Sequence, residues 1–522
     1  MSRFAPAVWR MMQRGRVVLW HGQTGRHAAL SPETVEEVER WTPDLPPPPM
    51  LAPIAARLSA LHLLAEDPVP DLANLRPARS RHALLFPASR QLWAPLPGIR
   101  TPGGFAYAAR PLSEAQVALW RTCNGARTTA TIAERCGCPL EEVLRFFSTL
   151  THPSVQALQL RPDPTRARAP GLLHLVAPER PPSPRPSHLY GPAGETTLAQ
   201  WHVEDITDGE RHFDDRETTV AHAFAVPHPG LEGQLYGARL YDSLATRGLI
   251  PDDDGVLLEI GPGDGELGAA WREQAALRGR PPGEHIRLDI SPTLLATQRR
   301  RQPGTREILG SATDIPLLDR SVDLILCNEV IADLTAIPYD PEETQEGDAI
   351  DALRARVAKY RLPTPRGPRW YNLGAWQMLE EVARILKPGG AAVITEFGAI
   401  DRDPQETEQL DHPEVSIRFD HLMVIGRTLG MRMQCVPLAE LLDIKVQTHW
   451  LAQHSYAALR ARARSHSGHL PARAWTAQTL PRPEAVEGLE WTPLTNPGPG
   501  PLVTRFYALI AHQPWYLHPA DI

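Results

Sequence analysis

The sequence predicts an α/β protein in which a doubly wound, mostly parallel sheet of seven strands follows a separate N-terminal α+β domain. Short apolar runs alternate with helical segments from residue 236 onward, as in a parallel sheet that helices cover on both faces. A glycine-rich turn follows the first of these runs and leads into a helix. A proline-rich stretch precedes the alternating region, so we expect two domains joined by an extended linker.

The N-terminal domain, residues 1–161, has its own order of elements. Residues 17–20 and 25–30 have the pattern of a hairpin, and Ser31 followed by Pro32 begins a helix. Three short helices and then an alternating strand are predicted at 112–120, 129–135, 139–150 and 155–160. Three helices followed by a strand are the pattern of a winged helix.

This order of elements resembles the PqqD-like domains, which hold leader peptides for modifying enzymes. The resemblance implies that an extended peptide binds by strand addition at the edge of a sheet. A DNA-binding winged helix and a purely structural module have the same pattern, and the sequence leaves both alternatives open.

Composition disfavours several classes of protein. The net charge of −7 argues against a nucleic-acid partner. No apolar run is long enough for a membrane span and the N-terminus lacks a secretory apolar segment, so we expect a cytoplasmic protein. The five cysteines are scattered, and Cys136 and Cys138 have no second pair nearby, so neither disulfides nor a metal site are predicted. The 54 prolines and the preference for arginine are typical of a GC-rich bacterial genome.

The second domain is predicted over 189–522, after a linker at 162–188. An amphipathic helix at 236–245 leads into it. The predicted strands are 256–260, 286–290, 307–309, 322–327, 391–397, 432–436 and 505–511. Two insertions on the substrate side are expected at 338–372 and 438–500. Doubly wound sheets bind ligands outside the carboxyl ends of their central strands, so the loops there hold the candidate site.

The most informative motif is the turn after the strand at 256–260. It places Glu259 before Gly261, Gly263 and Gly265, and these glycines let a ligand approach bare backbone N–H groups. The spacing differs from the dinucleotide fingerprint Gly-x-Gly-x-x-Gly. It resembles motif I of the class I S-adenosylmethionine-dependent methyltransferases, which have a Rossmann-like sheet. The resemblance implies S-adenosylmethionine as cofactor, with Glu259 near its methionine moiety.

Two further segments extend this resemblance. Asp289 and Ile290 end the second strand, and the resemblance implies that the carboxylate of Asp289 accepts hydrogen bonds from the two ribose hydroxyls. Ser311 and Ala312 lie in a segment that resembles the family's adenine-contacting loop. Ser311 stands where that loop usually has an acid, so its hydroxyl would bond the exocyclic amine while the backbone of Ala312 serves N1.

The fourth strand ends at Asn328 and Glu329, where the family places groups that face the transferred methyl. A helix N-cap is the alternative interpretation of Asn328. Methyl transfer is an in-line displacement, and it needs a general base only when the acceptor arrives protonated. Asn328, Glu329 and His412 are therefore the catalytic candidates. Other polar residues expected near the acceptor are Tyr339, Glu396, Asp420 and His421.

The set of motifs Glu-Ile-Gly-Pro-Gly, Asp-Ile-Ser-Pro, Cys-Asn-Glu-Val and Glu-Phe-Gly resembles the MidA-like branch of these enzymes, over roughly residues 236–430. That branch includes protein arginine methyltransferases of mitochondrial respiratory complex assembly. Together with the N-terminal pattern, it predicts methylation of a peptide or protein, as in the maturation of peptide natural products. A small-molecule methyltransferase of secondary metabolism is the alternative. A DNA-binding regulator with a cofactor-sensing domain is a third reading, which the acidic net charge disfavours.

Overall fold

The computed structural model describes residues 4–13, 15–41, 45–65, 67–68, 70–101, 104–163, 206, 208–209, 212–215, 218–251, 255–340, 342–343, 345–363, 367, 369–409 and 412–514. The chain forms two compact units. The first comprises Met1–Ser183, Ala452–Leu470 and Leu480–Glu490, and the second comprises Pro184–Leu451, Pro471–Thr479 and Trp491–Ile522. Most of the predicted linker, 162–188, lies outside the described residues.

The strands are numbered in chain order. They are β1 (Val8–Gln13), β2 (Arg16–His21), β3 (His27–Leu30), β4 (Arg76–Arg79), β5 (Leu84–Phe86), β6 (Gln91–Thr101), β7 (Gly104–Pro111), β8 (Leu158–Arg161), β9 (Val256–Ile260), β10 (Glu284–Asp289), β11 (Arg306–Leu309), β12 (Val322–Asn328), β13 (Ile337–Tyr339), β14 (Arg369–Tyr371), β15 (Leu386–Ala399), β16 (Glu406–Gln409), β17 (His412–Val415), β18 (Ile417–Arg418), β19 (Arg432–Pro437), β20 (His449–Leu451), β21 (Trp491–Pro493) and β22 (Phe506–His512).

The helices are numbered in the same way. They are α1 (Pro32–Arg40), α2 (Ala52–Ala60), α3 (Glu114–Thr122), α4 (Thr129–Cys136), α5 (Leu140–Thr151), α6 (His212–Asp215), α7 (Val220–Ala223), α8 (Tyr236–Thr246), α9 (Glu266–Leu277), α10 (Pro292–Arg301), α11 (Asp348–Tyr360), α12 (Leu373–Ile385), α13 (Phe419–Thr428), α14 (Leu438–Leu441) and α15 (Gln453–Ser465). Among the residues so described, no helix is both long and apolar enough to cross a membrane.

The first unit contains three small antiparallel sheets, with the orders β1-β2-β3, β5-β6-β7 and β4-β8. Helix α1 begins at Pro32, as predicted, and the side chain of Ser31 accepts a hydrogen bond from the backbone N–H of Thr34. Helices α3 to α5 and strand β8 occupy the positions of the three predicted helices and the strand. The assignment of a winged helix stays a prediction.

The first unit also includes residues that the sequence places in the second domain. Helix α15 lies within the predicted insertion 438–500. Its residues Ala457 and Ala458 belong to an apolar cluster with Phe86 and Trp93. Burial of this small-residue face explains why the late segments, Ala452–Leu470 and Leu480–Glu490, belong to the first unit.

The second unit is built on a sheet with the strand order β11-β10-β9-β12-β15-β22-β19. Strands β9 to β12 and β15 pair in parallel, whereas β22 is antiparallel to both of its neighbours. The sheet has eight strands rather than the seven predicted, because β18 pairs with the end of β15. Gly398 permits this pairing, since a Cβ there would overlap the backbone of Ile417.

The core of the second unit follows from the apolar runs in the sequence. Leu257, Leu258, Leu324 and Ile325 on the central strands β9 and β12 are fully buried. Trp271 on α9 is equally inaccessible, and its ring packs edge-on against Tyr241 on α8. This apolar support fixes the strand ends from which the candidate site is built.

Candidate active site

A cavity of about 260 Å³ lies at the carboxyl ends of β9, β10 and β12. The predicted donor-site residues that line it are Glu259, Gly261, Gly263, Asp289, Ile290, Ser311, Ala312 and Asn328. The catalytic candidate Glu329 lines it as well. Gly265, the N-cap of α9, is not among the lining residues, and a Cβ there would face Gln298 and Gln302 instead.

The glycine turn has a backbone that favours glycine at each position. Gly261, Gly263 and Gly265 have φ values of 58°, 59° and 86°. A Cβ at Gly261 would lie 2.5 Å from Cγ2 of Val330, and one at Gly263 would lie 2.9 Å from the ring of Phe213. Side chains at either position would therefore fill the cavity wall, so the turn forms a cradle for a ligand.

Glu259 is buried beside this cradle. Its Oε2 lies 3.2 Å from Nε2 of His285 on β10, and both residues are at most 5% exposed. Gly268 on α9 leaves room for the carboxylate, since a Cβ there would overlap Oε2. Neither oxygen of Glu259 accepts a hydrogen bond from the described part of the chain. Buried acceptors of this kind favour a ligand that donates hydrogen bonds.

Asp289 is held in one orientation at the end of β10. Its Oδ1 accepts from the backbone N–H of Ser291 at 2.9 Å, and its Oδ2 accepts from Nε2 of Gln298 at 2.7 Å. The same nitrogen of Gln298 donates to the carbonyl of Gly263 at 2.8 Å. One glutamine side chain thus couples the carboxylate to the glycine turn.

Ser311 closes a tight turn on the third side of the cavity. Its Oγ lies 2.9 Å from Oγ1 of Thr313 and accepts from the backbone N–H of Thr313 at 3.2 Å. Ala312 between them is buried. The hydroxyl of Ser311 therefore supports the loop as well as facing the cavity.

Asn328 is not a helix cap, because no helix follows it directly and residues 331–333 form a turn. Its Oδ1 accepts from the hydroxyls of Tyr236 at 2.8 Å and Thr395 at 2.7 Å, and its Nδ2 donates to Oε1 of Glu329 at 3.0 Å. Glu329 has a φ of 54° and also accepts from the backbone N–H of Val220 at 2.7 Å. A positive φ costs energy in a residue other than glycine, and residues with this conformation cluster at functional sites.

Glu396 is buried and is not among the residues that line the cavity. Its Oε1 and Oε2 accept from the backbone N–H groups of Phe397 and Ala332, at 2.9 and 3.2 Å. Burial and then the negative charge of Glu329 raise the pKa of Glu396 well above its usual value, which favours the neutral acid. His412 begins β17, and its side chain lies outside the described part of the structure.

Three other sequence candidates are not among the residues that line the cavity. The ring of His421 stacks on Tyr371 with centroids 6.1 Å apart, and burial lowers the pKa of His421 to about 4. Tyr339 packs against the same tyrosine at 6.1 Å. Asp420 pairs with the guanidinium of Arg418 at 2.8 Å. That these three residues face the acceptor stays a prediction.

A charged cluster that the sequence analysis missed lines the same cavity. Nε2 of His222 on α7 lies 2.6 Å from Oδ1 of Asp214, and its Nδ1 lies 3.5 Å from Oδ2 of Asp264. Burial alone would lower the pKa of His222, but the hydrogen bonds with Asp214 and Asp264 raise it. Burial would raise the pKa of Asp264, whereas His222 and Arg301 lower it to about 2. The geometry therefore favours a charged His222 beside an ionised Asp264, whereas burial and the charge of Asp264 raise the pKa of Glu266.

The cluster has the spacing of a metal site but not its charge. His222, Asp264 and Glu266 offer atoms within 4.8 Å of one another. Arg301 lies 2.5 Å from Asp264, and Arg473 lies 3.0 Å from Glu266. A divalent cation would meet both guanidinium groups at close range, so this geometry favours an ion-pair network. The residues of this cluster come from separate segments of the chain. The one signal for it in the sequence is that His222 lies within the apolar run Val-Ala-His-Ala.

Comparison with known proteins agrees with this geometry. Residues 258–344 match the model of a family described as a methyltransferase domain. The matched stretch contains the glycine turn, Asp289, Ser311 and Asn328. This stretch of the chain is thus similar to a methyltransferase domain, and the cofactor is S-adenosylmethionine.

Curated relatives match only part of the chain. An uncharacterised methyltransferase-like protein of Schizosaccharomyces pombe is 36% identical over 82 residues, which cover 16% of this chain and 30% of that protein. A release factor glutamine methyltransferase of Geobacter sulfurreducens is 31% identical over 132 residues, which cover 24% of this chain and 44% of that enzyme. The chain therefore spans less than half the length of each of these relatives.

A solved structure of an uncharacterised superfamily protein from Burkholderia thailandensis is also similar. It is 16% identical, the match covers 62% of this chain and 93% of that one, and the TM-score is 0.35.

Proposed function

We propose that this protein transfers a methyl group from S-adenosylmethionine to a side chain of a peptide or protein. The observation that supports methyl transfer most directly is that the glycine turn, Asp289 and Glu329 line one cavity. When bound, the cofactor supplies an electrophilic methyl group on a positively charged sulfur. The protein's task is then to align this group with the acceptor and to exclude water.

The residues on the donor side fit this cofactor. The cradle at Gly261 and Gly263 has room that a Cβ would fill, and the buried oxygens of Glu259 can accept hydrogen bonds from an ammonium group. A carboxylate accepts up to about four hydrogen bonds. Asp289 can therefore accept from ribose hydroxyls in addition to Ser291 and Gln298.

On the acceptor side, Asn328 and Glu329 form one unit. The hydroxyls of Tyr236 and Thr395 fix the carbonyl oxygen of Asn328, so its amide nitrogen faces Glu329. In this proposal, the carboxylate of Glu329 accepts a hydrogen bond from the acceptor group and orients its lone pair toward the methyl. His412 remains a catalytic candidate on sequence grounds alone.

The edge strand β1 supports a peptide as the substrate. Among the described strands, β1 pairs with β2 and has no partner on its other side. It exposes two large apolar side chains, Trp9 at 51% and Met12 at 68%. An open edge with apolar side chains suits an extended peptide, which gains backbone hydrogen bonds and side-chain contacts together.

The test uses the full chain, an arrayed library of synthetic peptides and S-adenosylmethionine. Released S-adenosylhomocysteine is measured, and mass spectrometry locates the added methyl group. We expect the wild type to methylate peptides. The Met12→Asp variant should methylate them at least about tenfold less efficiently at low peptide concentration, because it places a charge in an apolar contact. The matched control is Leu318→Asp, which changes an exposed leucine at 82% exposure in the second unit.

Two outcomes would contradict the proposal. Methylation of small acceptors with no methylation of any peptide would refute the substrate class and favour the small-molecule alternative. Equal effects of Met12→Asp and Leu318→Asp would refute the role of the β1 edge.

A further inference from the structure

Arg473 contacts two residues of the cavity wall, His222 and Glu266, although the sequence places it in the predicted substrate-side insertion 438–500. It is 9% exposed. Its Nη1 lies 3.2 Å from Oδ1 of Asp214 and donates to the backbone carbonyl of His222 at 3.1 Å. Its Nη2 lies 3.0 Å from Oε1 of Glu266. One planar guanidinium therefore joins three acceptors on α6, α7 and α9.

These three helices surround the glycine turn. Helix α9 begins at Glu266, directly after the turn, and His222 on α7 lines the cavity. The chain beside Arg473 adds a second tie, because the backbone N–H of Ala474 donates to the carbonyl of Ala223 at 2.5 Å. Segment 471–479 thus holds α7 by both side chain and backbone.

Helix α7 also reaches the acceptor side. The backbone N–H of Val220 at its start donates to Oε1 of Glu329 at 2.7 Å. Thr219 caps this helix and lines the cavity too. A shift of α7 would therefore move groups on both sides of the cavity.

Charge makes Arg473 more than a packing residue. Asp214, Asp264 and Glu266 lie close together in a buried place, and His222, Arg301 and Arg473 are their cationic partners. Removing Arg473 takes one cation from both Asp214 and Glu266 and leaves His222 as their shared partner. With one cation fewer, these buried carboxylates repel one another more strongly or draw in water, and either change loosens the wall beside the turn.

We propose that Arg473 is a positioning residue for methyl-donor binding, which holds α6 and α7 against the start of α9. This inference rests on the donor site proposed above. It makes the affinity for the donor depend on a residue far along the chain from every donor motif. A lysine could keep the charge but could not reach three acceptors with a planar fork, so it should replace arginine only in part.

The test measures binding of S-adenosylhomocysteine to the full chain by calorimetric titration. We expect Arg473→Gln to weaken binding about 30-fold and Arg473→Lys about fivefold, because the lysine keeps the charge but not the fork. In a double-mutant cycle with Asp214→Asn, the two changes should be strongly non-additive, since both break the same ion pair. The control Arg427→Gln changes an exposed arginine on α13 and should bind as the wild type does.

The outcomes separate this inference from the donor site itself. No binding by the wild type would refute the donor site. Wild-type affinity in Arg473→Gln, with binding intact in the control, would refute only the role of Arg473. If Arg473→Gln does not fold, Arg473→Lys decides, and an affinity equal to wild type in that variant would overturn the inference.

Discussion

Replacing Asp289 with asparagine should disrupt the donor site through Gln298. Nε2 of Gln298 donates to both Oδ2 of Asp289 and the carbonyl of Gly263, at 2.7 and 2.8 Å. An asparagine that keeps its oxygen for the N–H of Ser291 points its own NH2 at this nitrogen. Turning Gln298 over would instead place its oxygen against the carbonyl of Gly263. Either arrangement leaves two like groups facing each other in a buried place.

The geometry sets the expected loss of stability and the expected loss of affinity for the cofactor product. Losing one hydrogen bond to a charged group costs about 1.5–3 kcal/mol, so the free energy of unfolding should fall by about 2 kcal/mol. That corresponds to a drop of about 3 °C in Tm for a unit as large as the second one. Two ribose hydroxyls that lose a charged acceptor should cost about 3 kcal/mol, which weakens binding of S-adenosylhomocysteine about 100-fold.

Calorimetric titration and thermal unfolding measure the two effects separately. The double variant Asp289→Asn with Gln298→Ala removes the facing amide groups, so part of the stability should return while the affinity stays low. Asp319→Asn is the matched control, because that carboxylate is 73% exposed on the surface. An affinity within about twofold of wild type in Asp289→Asn would refute the assignment of Asp289 to the ribose.

Three further predictions concern the other walls of the cavity. Glu329→Gln should slow methyl transfer by about 10²-fold while S-adenosylhomocysteine still binds, and unchanged turnover would contradict its role. Tyr236→Phe removes one of two donors to Asn328 and should lower turnover about fivefold, measured with the same peptides. His222→Gln should destabilise the protein most at low pH, because the raised pKa of His222 makes its contribution full below its usual value of 6.5 and lost as pH rises through the raised value. Urea unfolding between about pH 5 and pH 9 tests this, and a difference that grows with pH would contradict it.

The parts of the fold that the sequence predicts well depend on local patterns. The apolar run at 256–260 becomes β9 with the predicted bounds. The glycine turn needs positive φ at Gly261 and Gly263, and only the residue type signals this. Asp289 and Asn328 follow apolar strands directly, so the geometry of a parallel sheet brings their side chains to the same edge.

The parts that the sequence does not predict depend on contacts between distant residues. Phe213 and His222 line the cavity from segments without a motif, and Arg473 contacts Asp214 and His222 behind that wall; only the folded chain shows these contacts. Polarity alone does not tell a ligand group from a structural one. His421 and Asp420 look alike as candidates in the sequence, yet one stacks on an aromatic ring and the other pairs with an arginine.

The most direct test of the donor site is a titration of S-adenosylhomocysteine against the wild type, Gly263→Ala and Gly279→Ala. Both glycines have positive φ, 59° and 70°, so an alanine strains both backbones alike. Only at Gly263 would the new Cβ meet a neighbour, the ring of Phe213 at 2.9 Å, whereas no atom lies within 4 Å of it at Gly279. We expect saturable binding by the wild type and Gly279→Ala, and at least about tenfold weaker binding by Gly263→Ala. Equal affinity in all three proteins, or no binding by the wild type, would contradict the account.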